Sequence, residues 1–232
     1  MPQDSNVERP ELTRGELCAE IAAVLCIGVF PHLWGAIEHF LGPDEPRTAT
    51  VFSLRHLALG TCIIVAVLYV MSRGVMSRGG AAWTRFGVVR PRLVDVAVGA
   101  IALVLQVGAT HVGGFLFQHV PDVAQHDQHH PVPATAAQHA LLLVAVAVSA
   151  FSEELVCRAY LITRLEQLLG SGPLAALISA VLFASYHVYQ GFVSALVILL
   201  WALVSSFMFL FVPRIWPYVL AHFLWFVVVI GP

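Results

Sequence analysis

The chain divides into apolar runs of about 16–25 residues, at 17–41, 52–71, 95–117, 136–157, 173–188, 192–212 and 215–230, and these runs limit what it can become. About 20 helical residues cross the ~30 Å hydrocarbon layer, so each run has the length and content of a bilayer span, the fifth and seventh being short for one. Backbone N–H and C=O groups in lipid have no water to bond, so the runs must satisfy their own backbones as helices. The expected fold is an all-α polytopic membrane protein: a bundle of about seven transmembrane helices, with an eighth only if one run splits. Composition agrees. The 232 residues are 59% hydrophobic and only 11% charged, with mean hydropathy +0.83, whereas a soluble domain carries roughly 25% charged residues. A net charge of −2 without a basic stripe gives nothing to follow a phosphate backbone, so no nucleic-acid partner is expected. A soluble enzyme and a disordered chain are excluded on the same grounds.

Residues 159–170 read differently from the spans. Leu161, Leu165, Leu168 and Leu169 share one face and Arg164, Glu166 and Gln167 lie elsewhere, which predicts an interfacial helix after the fourth span, ended by Gly170. Arginine placement orients the bundle. The loop 72–94 holds Arg73, Arg78, Arg85, Arg90 and Arg92; threading seven spans through it puts Arg9, Arg14, Arg158, Arg164 and Arg214 on the same side, with only Arg47 and Arg55 opposite. The N-terminus is therefore expected in the cytoplasm and the C-terminus outside. Asp4, Glu8, Glu11 and Glu16 offset the basic residues of the first 16, which lack the cationic region and cleavage site of a signal peptide. Three regions follow: a cytoplasmic tail over 1–16, three spans and their loops over 17–135, and a helical core over 136–232. Cys18, Cys26, Cys62 and Cys157 lie in or beside apolar runs without CxxC spacing, which indicates neither a disulfide framework nor a zinc knuckle.

A polar group inside a span costs roughly 2.5–3.5 kcal/mol on insertion scales, so each needs a reason. Glu20, Glu38 and Arg55 lie near span ends, where they can snorkel to water. Glu153 and Glu154 sit deeper, in the run SAFSEELVCRAYL. Adjacent helical residues point about 100° apart, so the two carboxylates serve different contacts. Arg158 lies four residues after Glu154, a spacing that pairs them and leaves Glu153 free. A free carboxylate in a poorly hydrated cavity is suited to act as a general base on water; the bland reading is an ion pair plus a spare glutamic acid that fixes helix packing. The fifth span sets Phe183 and His187 on one face at i,i+4, and the seventh carries His222 inside the membrane. One histidine on an apolar helix is ordinarily a packing residue. Two, with a Glu-Glu-x-x-x-Arg on a third span, can orient water, donate to an oxyanion or shuttle a proton.

Glu153-Glu154-x-x-x-Arg158, Phe183-x-x-x-His187 and His222, in that order and on three spans, resemble the three motifs of the CAAX prenyl protease and bacteriocin-processing (CPBP, Abi) family of intramembrane glutamic endopeptidases. The resemblance covers roughly residues 136–230. It implies an integral membrane hydrolase, an endopeptidase without an acyl-enzyme, acting on membrane-anchored, prenylated C-terminal or secreted-peptide substrates. It gives Glu153 the activation of water, His187 an assisting place beside that water and His222 the oxyanion, with Glu154, Arg158 and Phe183 in support. Membrane lipid and peptide are the partners it implies, with no cofactor. In two places the sequence departs from the family. The position four residues after His222, usually Asn or Asp, is Phe226, and a glycine common after Arg158 is Ala159. Brevity points to a prokaryotic inner membrane.

Several alternatives stand beside this reading. His187, His222 and Glu153 could form a His₂Glu zinc set, though no HExxH accompanies them. Cys157 could be a nucleophile, with Arg158 alone to lower its pKa. The loop 118–139, with His119, Asp122, His126, Asp127, His129, His130 and His139, offers metal donors, but Pro131 and Pro133 favour a solvated, irregular turn. A proton-relay transporter is disfavoured by the lack of internal repeats. A catalytically weak or inactive member acting as a membrane binding or immunity protein follows from Phe226.

Overall fold

The computed structural model describes residues 12–41, 48–76, 82–121 and 132–230, and every regular element among them is helical. The elements in chain order are α1 (Arg14–Gly28), α2 (Phe30–Leu41), α3 (Ala49–Met76), a single turn α4 (Ala82–Arg85), α5 (Leu93–Phe117), α6 (Ala136–Glu154), α7 (Thr163–Leu169), α8 (Gly172–Ser185), α9 (Phe192–Phe211) and α10 (Ile215–Ile230). Five stretches are long and apolar enough to cross a membrane, namely Arg14–Glu38, Ala49–Ser72, Leu93–Phe117, Ala136–Leu169 and Phe192–Phe211. Gly172–Ser185 and Ile215–Val228 are shorter apolar helices. The seven apolar runs of the sequence thus become seven helical stretches of an integral membrane protein. Large apolar side chains such as Val65, Val104 and Phe115 stay exposed on their outer faces, the surface a lipid-immersed bundle presents.

Local sequence explains where the helices begin and break. Thr13 caps α1: its hydroxyl accepts from the Glu16 amide at 3.3 Å, and the Glu16 carboxylate accepts from the Thr13 amide at 2.8 Å. Thr135 and Gln138 repeat this box at the start of α6. Pro31 has no N–H to continue the ladder, and the first stretch is interrupted beside it, at Val29, between α1 and α2. Gly28, just before the break, lets α1 lie directly on the motif helix. A Cβ there would stand 2.8 Å from Cγ2 of Val156.

The expected separate interfacial helix over 159–170 does not form. α6 runs without a break through a π-helical segment, Leu155–Ile162, into α7, giving one rod from Ala136 to Leu169. All eight π residues are buried, because α1, α3, α8, α9 and α10 pack around them. Arg164, expected on a polar outer face, is buried too. Its Nη2 and Nε donate to Glu20 Oε1 at 2.7 and 2.9 Å, and the Tyr160 hydroxyl donates to the same oxygen at 3.0 Å. Glu20 therefore holds α1 to the rod instead of snorkelling to water. The continuous rod also sets depth. From Glu153 the chain descends 16 residues to Leu169, then α8 and its end climb 15 residues from Gly172 to His187. At 1.5 Å per residue these legs are about 24 and 22 Å, so His187 returns to the level of Glu153.

The foot of α10 is clasped by the segment before α5 and by the first turn of α5 itself. Asp95 accepts from Arg214 Nη2 at 2.7 Å and from the Arg92 amide at 2.7 Å, while Arg214 Nη2 also donates to the Arg90 carbonyl at 3.0 Å. The Ile215 amide donates to the Gly87 carbonyl at 3.0 Å. Gly87 has φ +68°, and a Cβ on it would lie 2.7 Å from the Pro213 carbonyl oxygen. A left-handed conformation alone costs a non-glycine residue roughly 1–2 kcal/mol. Gly87→Ala should therefore lower thermal stability in detergent by at least that amount; an unchanged unfolding midpoint would show that the clasp tolerates displacement.

Candidate active site

Glu153 and Glu154 end the α-helical part of the rod, and their directions differ as adjacent positions require. Glu154 is fully buried; its Oε2 is 3.2 Å from Arg158 Nε, a contact within one side of the rod, and Arg158 is fully buried as well. The sequence had placed Arg158 on the inner membrane face. It lies instead inside the bundle, its guanidinium carbon 4.5 Å from the centre of the Phe183 ring and 5.3 Å from that of Trp201. Those rings stack with centroids 5.4 Å apart, so the cation has a carboxylate at one end and two π faces beside it, an arrangement that stabilises a desolvated guanidinium.

Glu153 keeps one oxygen committed and one free. Oε1 accepts from the Ser149 hydroxyl at 2.9 Å, one turn back on α6. Oε2 is buried without a hydrogen-bond partner. His222 of α10 stands between the two glutamates: its Nδ1 donates to Glu154 Oε1 at 2.9 Å, and its Nε2 lies 4.0 Å from Glu153 Oε2. That second separation is too long for a direct hydrogen bond, and an oxygen bonded to both groups would sit beside the line that joins them. Ring contacts fix the imidazole, with Trp201 at 4.8 Å and Phe183 at 6.0 Å, both edge-on.

His187 does not sit within α8, which ends at Ser185; it lies in the turn that follows, before the short 3₁₀ turn Val188–Gln190. Its relation to Phe183 nevertheless has the expected one-turn form. Nδ1 meets the Phe183 carbonyl at 2.8 Å and the rings are 4.7 Å apart. A carbonyl only accepts, so Nδ1 carries the hydrogen and the neutral ring presents Nε2 as an acceptor. Glu153 interacts electrostatically with His222, His187 and His32.

The structure thus brings Glu153, Glu154, Arg158, Phe183, His187 and His222 into one site inside the bundle. Phe226 lies one turn beyond His222 on α10, half-buried, and offers no donor. Four residues of the site carry no sequence motif: His32, Tyr186, Trp201 and Trp225. Trp201 and Trp225 each hold a buried indole N–H without an acceptor, and their rings meet edge-on at 6.2 Å. None of the four stands out in the sequence, where His32 is marked only by following Pro31 in an apolar run.

Among the described residues, no three His, Cys, Asp or Glu side chains group closely enough to hold a metal together, and His222 Nδ1 is directed at Glu154 instead of an open centre. Cys157 is buried, its thiol 4.0 Å from the Tyr186 hydroxyl. In the His-rich loop, Asp122, His126, Asp127, His129 and His130 lie outside the described residues; His139 is in the first turn of α6, its Nδ1 bonded to the Thr135 carbonyl at 2.9 Å.

Residues 135–228 match the family described as Rce1-like, type II CAAX prenyl endopeptidase Rce1-like. No curated protein and no solved structure matches the chain.

Proposed function

We propose that this chain, whose residues 135–228 match the Rce1-like family of type II CAAX prenyl endopeptidases, is an intramembrane glutamic endopeptidase in which Glu153 activates water. The observation that carries the reading is His222 held between two carboxylates, 2.9 Å from Glu154 and 4.0 Å from Glu153. Water bound at Glu153 Oε2 gives up a proton to the carboxylate, and its oxygen attacks the scissile carbonyl carbon. His187 accepts a hydrogen bond from that water through Nε2 and so fixes its direction. His222, doubly protonated, donates from Nδ1 to Glu154 and from Nε2 to the developing oxyanion, a donor worth about 2.7–4 kcal/mol in a water-poor site. Arg158 balances the charge of Glu154, so that His222 is oriented without adding net negative charge near the nucleophile.

The substrates are membrane-anchored or C-terminal peptides that reach the site from lipid. The protein acts in a prokaryotic inner membrane with its N-terminus in the cytoplasm and its C-terminus outside. Arg158 and Arg164 are spent on internal ion pairs, so this orientation rests on the arginines of loop 72–94, with Arg14 and Arg214. The reaction is metal-independent.

The test is cleavage of membrane-anchored peptides by the purified protein in detergent, beside Glu153→Ala, His187→Ala and His222→Ala. Loss of cleavage in all three, with wild-type activity unaffected by a strong chelator, is the expected result. Inactivation by the chelator would transfer the reading to zinc chemistry. A folded wild type that cleaves nothing would favour the binding or immunity role that Phe226 suggests.

A further inference from the structure

One more polar side chain reaches the site from outside residues 135–228. His32 lies in the first turn of α2, and its Nε2 is buried with no hydrogen-bond partner. Its ring stacks on Tyr186, centroids 5.1 Å apart and planes 27° from parallel. Tyr186 in turn contacts His187 at 4.6 Å and Phe183 at 5.4 Å. Glu153 and His187 both feel the His32 ring electrostatically; the other charged or titratable groups facing it are His56 and Arg55 of α3. Two features of the first stretch put it there. Gly28 lets α1 touch Val156 of the motif rod, and one turn later α2 packs on the 3₁₀ turn Val188–Gln190 that follows His187.

An unpartnered polar atom in a membrane interior is costly, and a fold that keeps one a single ring away from His187 gives it a ligand to meet. Arg158, Trp201 and Trp225 also carry buried unpartnered donors, but a guanidinium or an indole holds its proton at any working pH. An imidazole transfers one. Building on the protease reading, we infer that His32 is a third imidazole of the catalytic centre, which donates its Nε2 proton to the departing amine nitrogen. Water gives one proton to Glu153 and its oxygen to the carbonyl carbon. The tetrahedral adduct collapses, the C–N bond breaks with its electron pair on nitrogen, and nitrogen takes the proton from His32. His32 supplies that proton after drawing it through Nε2 from Glu153, so the carboxylate and the neutral imidazole are both restored and one water is consumed.

The full-length protein in detergent would be assayed on a membrane-anchored peptide and on the same peptide with a thioester at the scissile position, whose leaving group needs no proton. His32→Ala and His32→Gln should each lower kcat on the peptide by about 100-fold, with KM within about threefold. On the thioester both should approach wild type. His111→Gln, an exposed histidine on α5, should behave as wild type on both. Equal losses on the two substrates, or a His32→Gln variant as fast as wild type, would overturn the role. A second measurement needs no turnover. In ¹⁵N-histidine-labelled protein, the His32 ring resonances, assigned by their loss in His32→Gln, should shift in Glu153→Gln; unchanged shifts would also overturn it. A wild type that cleaves neither substrate sinks the protease reading, and with it the proton transfer, while the shifts still report whether His32 faces Glu153.

Discussion

Glu153→Gln should yield a protein as stable as the parent that has lost its cleavage. The amide is nearly the same size, and the Ser149 hydroxyl can still donate to its oxygen as it does to Oε1 at 2.9 Å. What disappears is the proton acceptor at Oε2, the atom the fold leaves buried and unpartnered. A positioned general base contributes about 10²–10⁴-fold in rate, so single-turnover cleavage should slow by that factor with little change in KM. Cleavage at the parental rate would mean that another group takes the proton from water, and the assignment of Glu153 would fall.

Arg158→Leu should act on the fold. The guanidinium has no exposure, one carboxylate neighbour 3.2 Å away and two aromatic faces beside it. Removing it leaves the buried Glu154 with the His222 imidazole as its remaining partner, and breaking a buried pair in this way costs about 3–5 kcal/mol. Against a typical total stability of about 5–15 kcal/mol, that should show as poor yield and a much lower unfolding temperature in detergent. Arg158→Lys should rescue only part of the loss, because a compact ammonium loses the planar contact over Phe183 and Trp201. The double variant Glu154→Gln, Arg158→Leu should recover most of the stability, since neither partner is then charged. If Arg158→Leu alone melts like the parent, the pair is not holding the rod to α9 and α10.

The bundle and the core of the site were legible for one reason: charge inside an apolar run is conspicuous. Glu153, Glu154, Arg158, His187 and His222 stand out against their spans, and their spacing gives the Glu154–Arg158 pair and the Phe183–His187 turn directly. Position along the membrane normal was harder to read. A charged residue near a run's end looks like a snorkelling residue whether it meets water or a partner on another helix. Arg158, Arg164 and Glu20 were therefore assigned to the interface, although Arg164 and Glu20 bond each other across 144 positions of sequence. His32 is inconspicuous because it lies in a run whose other end carries Glu38 and His39, and Trp201 and Trp225 are so because an indole within an apolar run leaves no trace in hydropathy. The helix running through 155–162 was hidden for a related reason. Its polar residues are satisfied by neighbours that only the fold supplies, so its sequence resembles a break between a span and a surface helix.

The wide turns between Leu155 and Ile162 also work as an angular adjustment between two sets of contacts on one rod. Above them, Glu153 and Glu154 face His222; below them, Tyr160 and Arg164 face Glu20 on α1. Segments of this type arise as insertions within α-helices, often at functional sites. The wide turns rotate less per residue than the about 100° of an ordinary helix, so tightening 155–162 into regular α-helix of the same length would swing one set away from its partners. The two ends of the rod are therefore phased to each other by the wide turns between them.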